Sequence, residues 1–285
     1  MRPSRAQALL LQAPVIACML LLVAAPTLLL FATAFSPGGM FRIELGDWGL
    51  SAVDTVVDDA HATQLTRSIV IGLATTAFSV TGGFALAYWV VFRSTRSGLW
   101  LSLIVVALIA SYIARIYAWR TILGTEGPVN GLLRELGLIG EGESVILFTR
   151  VAVVIAQVNV FLPLSALILA SALARVDRQL FEASRSSGYD GLATLVWVTL
   201  PQVGRALLTA ISFTFFLSTG DYITPSLLGG RSSTTLGALI ATKYKTTGDY
   251  SAGAVLALEM LLVFALFVVA VRLLLRALGM LPRAN

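Results

Sequence analysis

Cysteine and histidine are almost absent from these 285 residues: Cys18 and His61 are the only ones. One cysteine excludes an intrachain disulfide and any cysteine-built metal site. A lone histidine in a polar loop reads as a solvated side chain rather than a ligand. Charge is scarce as well. Only 12% of residues are charged, against about 25% in a soluble domain. The net charge of +5 comes from basic residues scattered between apolar runs, which argues against a nucleic-acid surface. No G-x-x-x-x-G-K-[ST] stretch is present, so the chain carries no nucleotide site of that kind. H-E-x-x-H and a Ser/His/Asp arrangement are also missing. There is no internal repeat, and the inverted halves expected of many secondary transporters are not visible.

Long apolar runs are abundant. Apolar residues make up 57% of the chain and the mean hydropathy is +0.87. A bilayer span needs about 20 mostly apolar residues. Six stretches meet that length: Ala13–Phe35, Ser68–Phe92, Leu99–Ile122, Arg150–Leu173, Ala206–Thr224 and Ala252–Leu275. The expected fold is an all-α membrane protein of six transmembrane helices. The first stretch has a signal peptide as its alternative, with Arg2 and Arg5 ahead of it and Ala32-Thr33-Ala34 as a cleavage site. Its apolar part exceeds the roughly 7–15 residues of a signal core, which favours a span. With the N-terminus inside, the inner segments carry eleven arginines from Arg2 to Arg283 and only Asp177, Glu182 and Asp190 as acids. The outer segments carry ten acids, at Glu44–Asp59, Glu126–Glu143 and Asp249. The positive-inside bias therefore places both termini in the cytoplasm. Short helices are expected in the outer loops over Ala52–Thr63 and Val129–Leu136. An apolar patch at Leu236–Ala241, too short to span, is expected at the membrane surface.

The longest polar passage on the inner side is Phe181–Pro201, FEASRSSGYDGLATLVWVTLP. Asp177 can cap a helix from Arg178 to Ser187, since its carboxylate can accept from the free N–H groups of the first turn. Glu182 lies early in that helix, where negative charge is favoured. Ala183, Ser184 and Gly188 are small enough for another protein surface to approach. Gly188 suits a left-handed helix end, and Pro201 stands where a new helix can start.

Glu182-Ala183-Ser184, three residues, Gly188, then Leu200-Pro201 resembles the EAA loop of ABC importer permeases, with Ser184 in a position usually held by Ala. Tyr112–Gly124 with Gly127-Pro128-Val129-Asn130, and Gly220–Gly230 (GDYITPSLLGG), resemble the third-span exit and fifth-span end of spermidine/putrescine-type permeases. The resemblance covers Thr66–Arg276. It implies a type I ABC importer permease of the bacterial cytoplasmic (inner) membrane: a region 1–65 with the first span and an outer loop, a five-span core 66–276 carrying the coupling helix in its 177–201 loop, and a C-terminal tail 277–285. It further implies a second permease subunit, identical or related, two cytoplasmic ATPase subunits that hold the ATP and Mg while this chain holds no cofactor, and an extracytoplasmic substrate-binding protein. Glu182, Ala183, Ser184, Gly188, Leu200 and Pro201 would form the ATPase-coupling surface. The cargo implied is a polyamine or similar small cation. Another small organic solute (an opine, an amino-acid derivative or an organic ion) is the alternative. An ion-coupled secondary transporter and a non-transporting scaffold are the rivals outside the family, and the EAA spacing opposes both.

Ionisable groups within a span cost at least about 2.5–3.5 kcal/mol at mid-helix and are functional candidates by default. Glu259 falls inside the sixth span, and Asp221 lies near the outer end of the fifth. Both are candidates for the substrate path, with Tyr222 adding a cation–π contact. The alternatives are a helix–helix contact for Glu259 and an interfacial or turn acid for Asp221. Gln157 and Asn159 precede Pro163, which should kink the fourth span. They either line the path or bond to another helix. Arg115, Tyr117, Trp119 and Arg120 read as interfacial anchors.

Overall fold

A computed structural model of the chain describes residues 5–36, 38–39, 42–43, 48–49, 51–56, 59–140, 144–230 and 233–281. Of the residues behind the charge count, Arg2, Glu44, Asp47, Asp58, Glu141, Glu143 and Arg283 lie outside the described residues. The described chain is almost wholly helical. In order it runs α1 (Arg5–Ala34), a minimal hairpin β1 (Gly38–Gly39) and β2 (Arg42–Ile43), α2 (Ser51–Val56), α3 (Asp59–Phe92), α4 (Ser97–Ile109), α5 (Tyr112–Ile122), α6 (Pro128–Glu135), α7 (Arg150–Leu173), α8 (Arg178–Ser186), α9 (Gly191–Thr194), α10 (Leu200–Gly220), α11 (Ile223–Leu228), α12 (Leu236–Thr242) and α13 (Tyr250–Ala277). The hairpin pairs Gly38 with Ile43 and Gly39 with Arg42, antiparallel.

Five helical runs are long and apolar enough to cross a membrane: Gln12–Ala34, His61–Phe92, Arg150–Leu173, Gly191–Gly220 and Tyr250–Ala277. The remaining expected span, the third, is broken. α4 and α5 meet at 87°, because Ala110 (ψ 142°) and Ser111 (ψ 122°) are extended. The break is satisfied locally. The Ser111 side chain accepts from Ala114 N, and Arg115 Nη2 donates to the freed Ala110 carbonyl. Leu99–Ile122 is therefore not a straight span but a pair of helices with the geometry of a broken span or a re-entrant loop.

The fifth span also differs from its expected bounds. Helix begins at Gly191, well before Ala206, and ends at Gly220. Pro201 lies in the first turn of α10, where it was expected. Helix nevertheless runs into it without a gap, through a π-turn over Leu195–Thr199 in which Leu200 N donates to the Leu195 carbonyl five residues back. A widened turn of this kind accommodates a residue that has no N–H and whose ring crowds the preceding turn. α7 runs unbroken through Pro163.

Two compact units make up the chain. Met1–His61 with Leu239–Leu261 is one, and Ala62–Ala238 with Leu262–Asn285 is the other. This division cuts across the expected 1–65, 66–276 and 277–285. In the larger unit α7 is the most enclosed of the span-length helices, half buried over its apolar window. Toward its C-terminal end Leu169, Ala170 and Leu173 pack with Val80, Ala87, Val203 and Ala210. Toward its N-terminal end Ala152, Val153 and Ala156 pack with Ile71, Ile116, Leu123 and Leu228. At Gly83 a Cβ would come within 2.8 Å of Ser165 Cβ and 2.9 Å of Ala166 N. A small residue lets α3 and α7 cross this closely, as at many intramembrane contacts. Ser165 and Thr214 bridge α7 and α10 by a hydroxyl pair at 2.9 Å.

The loop elements match in part. α6 starts on Pro128, one residue before its expected start, and the expected helix over Ala52–Thr63 falls partly in α2 (Ser51–Val56) and partly in the first turn of α3, with 57–58 outside the described residues. The Leu236 patch was expected at the membrane surface. Within it, Leu236 and Gly237 are buried against the rest of the unit, and Leu236 N donates to Ser68 Oγ at 2.7 Å. Within 277–285, Leu281 is buried with Val271 and Leu275 rather than trailing as a tail.

Candidate functional site

The 177–201 loop folds as a capped helix, a tight reversal and a second helix. Asp177 Oδ1 accepts from Gln179 N at 2.9 Å and so caps α8. α8 ends in a Schellman arrangement, with Tyr189 N donating to Ser184 O across Gly188 at φ +82°. A Cβ at Gly188 would meet nothing within 4 Å, so here glycine answers to backbone conformation rather than crowding within this chain. Asp190 then caps α9, accepting from Ala193 N at 2.7 Å. The Asp-Gly step signalled that cap, but the sequence reading passed it over.

α8 is fixed to the larger unit through one face. Phe181 stacks edge-to-face on Phe92 at the end of α3, centroids 5.1 Å apart. Phe92 in turn stands 5.0 Å from Tyr88. Ser184 is buried, and its hydroxyl pairs with Thr194 Oγ1 at 2.8 Å. The departure from Ala at this position thus has a partner in the next helix. The opposite face is open. Glu182 and Ala183 are exposed, and the Glu182 carboxylate has no side-chain partner among the described residues. Leu200 and Pro201 are half-buried in the following helix, away from this exposed face in sequence and in element. Phe181, whose ring anchors α8 on α3, carries no mark in the loop's spacing pattern.

The expected pathway residues do not form one lining. Gln157 is fully buried. Its Oε1 accepts from Thr75 Oγ1 (2.9 Å) and Ser218 Oγ (2.6 Å), while its Nε2 donates to Ser218 O (3.1 Å) and Asp221 Oδ2 (3.0 Å). Asp221 Oδ1 accepts from Ile223 N and Thr224 N, at 2.9 and 3.2 Å. Asp221 is thus the hinge between α10 and α11, held by α7. Tyr222, half-buried, is the residue before α11. Asn159 lies two residues beyond Gln157, roughly 200° around the helix, and is exposed. It lines a groove of about 740 Å³ with Val70, Phe78, Trp119, Val151 and Leu162.

In the smaller unit, Glu259 Oε2 meets His61 Nε2 at 2.6 Å. His61 is therefore not a solvated loop residue. It lies in α3, and its side chain is only 11% exposed. Asp249 caps α13 at Ala252 N and pairs with Lys243 at 3.1 Å.

No family model matches the chain. Among solved structures, a subunit of a bacterial ABC transporter involved in the import of the acidic polysaccharide alginate superimposes with a TM-score of 0.73 at 14% identity, over 94% of this chain and 95% of that one. The chain has the fold of an ABC importer permease. A chain of the MetNI methionine ABC transporter, in inward-facing conformations, shares it more loosely, with a TM-score of 0.54 at 16% identity, over 78% of this chain and 99% of that one. In sequence, the chain is 24% identical over 253 residues to the spermidine/putrescine transport system permease protein PotB of Escherichia coli (strain K12), covering 88% of this chain and 92% of PotB. It is 27% identical over 194 residues to the inner membrane ABC transporter permease protein YdcU of the same strain, covering 63% of this chain and 61% of YdcU.

Proposed function

We propose that the chain is one permease subunit of a binding-protein-dependent ABC importer in the bacterial cytoplasmic membrane, with both termini inside. A second permease subunit completes the path, two ATPases dock on the α8 loops, and an extracytoplasmic binding protein delivers a polyamine or similar small cation. The observation that carries this reading is the geometry of α8. One face is locked to α3 and α9 by Phe181 and Ser184, while the other presents Glu182 and Ala183 to solvent. A helix held this way can pass a push from a docked ATPase to the end of a span, and hydrolysis itself belongs to that partner. The polyamine assignment rests on the likeness to PotB over most of both chains.

A second reading, uptake of another small organic solute, is favoured by one observation. Both acids expected to meet a cation are already engaged, Asp221 by Gln157 and backbone donors, and Glu259 by His61. Reconstitution in proteoliposomes with the cognate ATPase and binding protein tests both. ATP-dependent accumulation of radiolabelled spermidine or putrescine supports the first reading. Accumulation of only other solutes supports the second, and accumulation without the ATPase contradicts both.

A further inference from the structure

Where α7 ends and α10 begins, a cavity of about 320 Å³ opens beside the α8 loop. Its lining includes Ser171, Arg175, Val176, Gln202 and Arg205. No carboxylate lines it. Both guanidinium groups are exposed, and neither has a side-chain partner among the described residues. The two polar neighbours turn back on their own helices, Ser171 Oγ to Ile168 O and Gln202 Nε2 to Val198 O. The floor is apolar, formed by Ala172, Val176, Val203 and Ala206.

We propose that Arg175 and Arg205 form a binding site for the phosphodiester headgroup of an anionic phospholipid. Two planar, permanently charged forks in one concavity match phosphate oxygens bidentately. A basic pocket between spans at headgroup depth is where such a lipid is attracted most strongly. The apolar floor gives the glycerol backbone a dry seat. A lipid held here ties the end of α7 to the start of α10, the two helices that flank the coupling loop. The proposal rests on the proposed orientation, with this end of α7 and α10 at the inner leaflet, and does not depend on the cargo.

The test is native mass spectrometry of the purified full chain titrated with short-chain phosphatidylglycerol, with inorganic phosphate as a separate arm. Wild type should bind the lipid, and millimolar phosphate should not displace it. R175Q/R205Q should weaken binding about thirtyfold, roughly fivefold for each guanidinium removed. R93Q/R96Q removes the same charge from exposed arginines elsewhere and should change little. Equal binding by R175Q/R205Q, or equal loss in R93Q/R96Q, overturns the site. Displacement by phosphate makes it a free-anion site and overturns the lipid assignment. Hydrogen exchange on the wild-type chain gives an answer even if R175Q/R205Q does not fold. Lipid should protect residues 171–176 and 202–206, and protection that arises only on adding the ATPase would mean that an acidic protein surface fills the cavity instead.

Discussion

Replacing Gln157 with Leu removes a side chain of similar size whose every polar atom is used. The largest loss is the bond from Nε2 to the Asp221 carboxylate. Hydrogen bonds to charged groups contribute about 1.5–3 kcal/mol. The bonds to Thr75 and Ser218 each contribute less, about 0.6 kcal/mol on average between membrane helices. Both hydroxyls can turn back to carbonyls of their own helices, so part of that loss is recovered. The sum is a destabilisation of about 2–4 kcal/mol. Since Asp221 sets the turn from α10 into α11, transport should fall with it. Reversible unfolding in mixed micelles, followed by tryptophan fluorescence, measures the loss. N159L is the control, because Asn159 is exposed and has no partner among the described residues. It should stay within about 0.5 kcal/mol of wild type. If Q157L also stays within that margin, Gln157 is not a structural tie and the account of the α10–α11 turn fails.

Phe181→Ala should leave the bundle folded but loosen α8 from α3. The ring pair contributes about 0.5–1.5 kcal/mol beyond its buried area, so ATP hydrolysis should persist while solute uptake per ATP drops. Uptake per ATP at the wild-type ratio would remove Phe181 from the coupling path. Gly188→Ala meets no steric clash but places a side chain at φ +82°. It should cost about 1–2 kcal/mol, with more for the β-branched G188V, read as a graded fall in thermal stability. His61→Gln and Glu259→Gln should each destabilise by about 1–3 kcal/mol. The double variant should cost less than their sum, and strict additivity in the cycle would show that the two side chains do not interact.

Much of the 177–201 loop was legible because its signals are local. Asp177 as a cap, a left-handed Gly188 and a helix from Arg178, ending one residue short of the expected Ser187, all follow from residue chemistry within a dozen positions. The spans were legible from composition alone. The 87° break at Ala110–Ser111 was not, since neither residue is a helix breaker. It is held by Arg115 reaching back to a carbonyl, which no periodicity reveals. Pro201 was legible in the first turn of α10, but the π-turn ahead of it leaves no mark of its own in composition. Gln157, Asp221, His61 and Glu259 were hardest. A polar residue in a span signals importance, but whether it faces a path or a neighbour depends on a partner tens to hundreds of residues away.

The central claim is that α8 offers its Glu182–Ala183 face to a separate ATPase. With Cys18, the sole cysteine, changed to Ser, a cysteine at Ala183 should cross-link to single cysteines placed in the cognate ATPase. The yield should change on ATP binding, and the cross-link should stop uptake. A cysteine at Ser184, which faces Thr194, should react far less. Equal labelling at both positions, or undiminished ATP-driven uptake with Ala183 cross-linked, would contradict the claim.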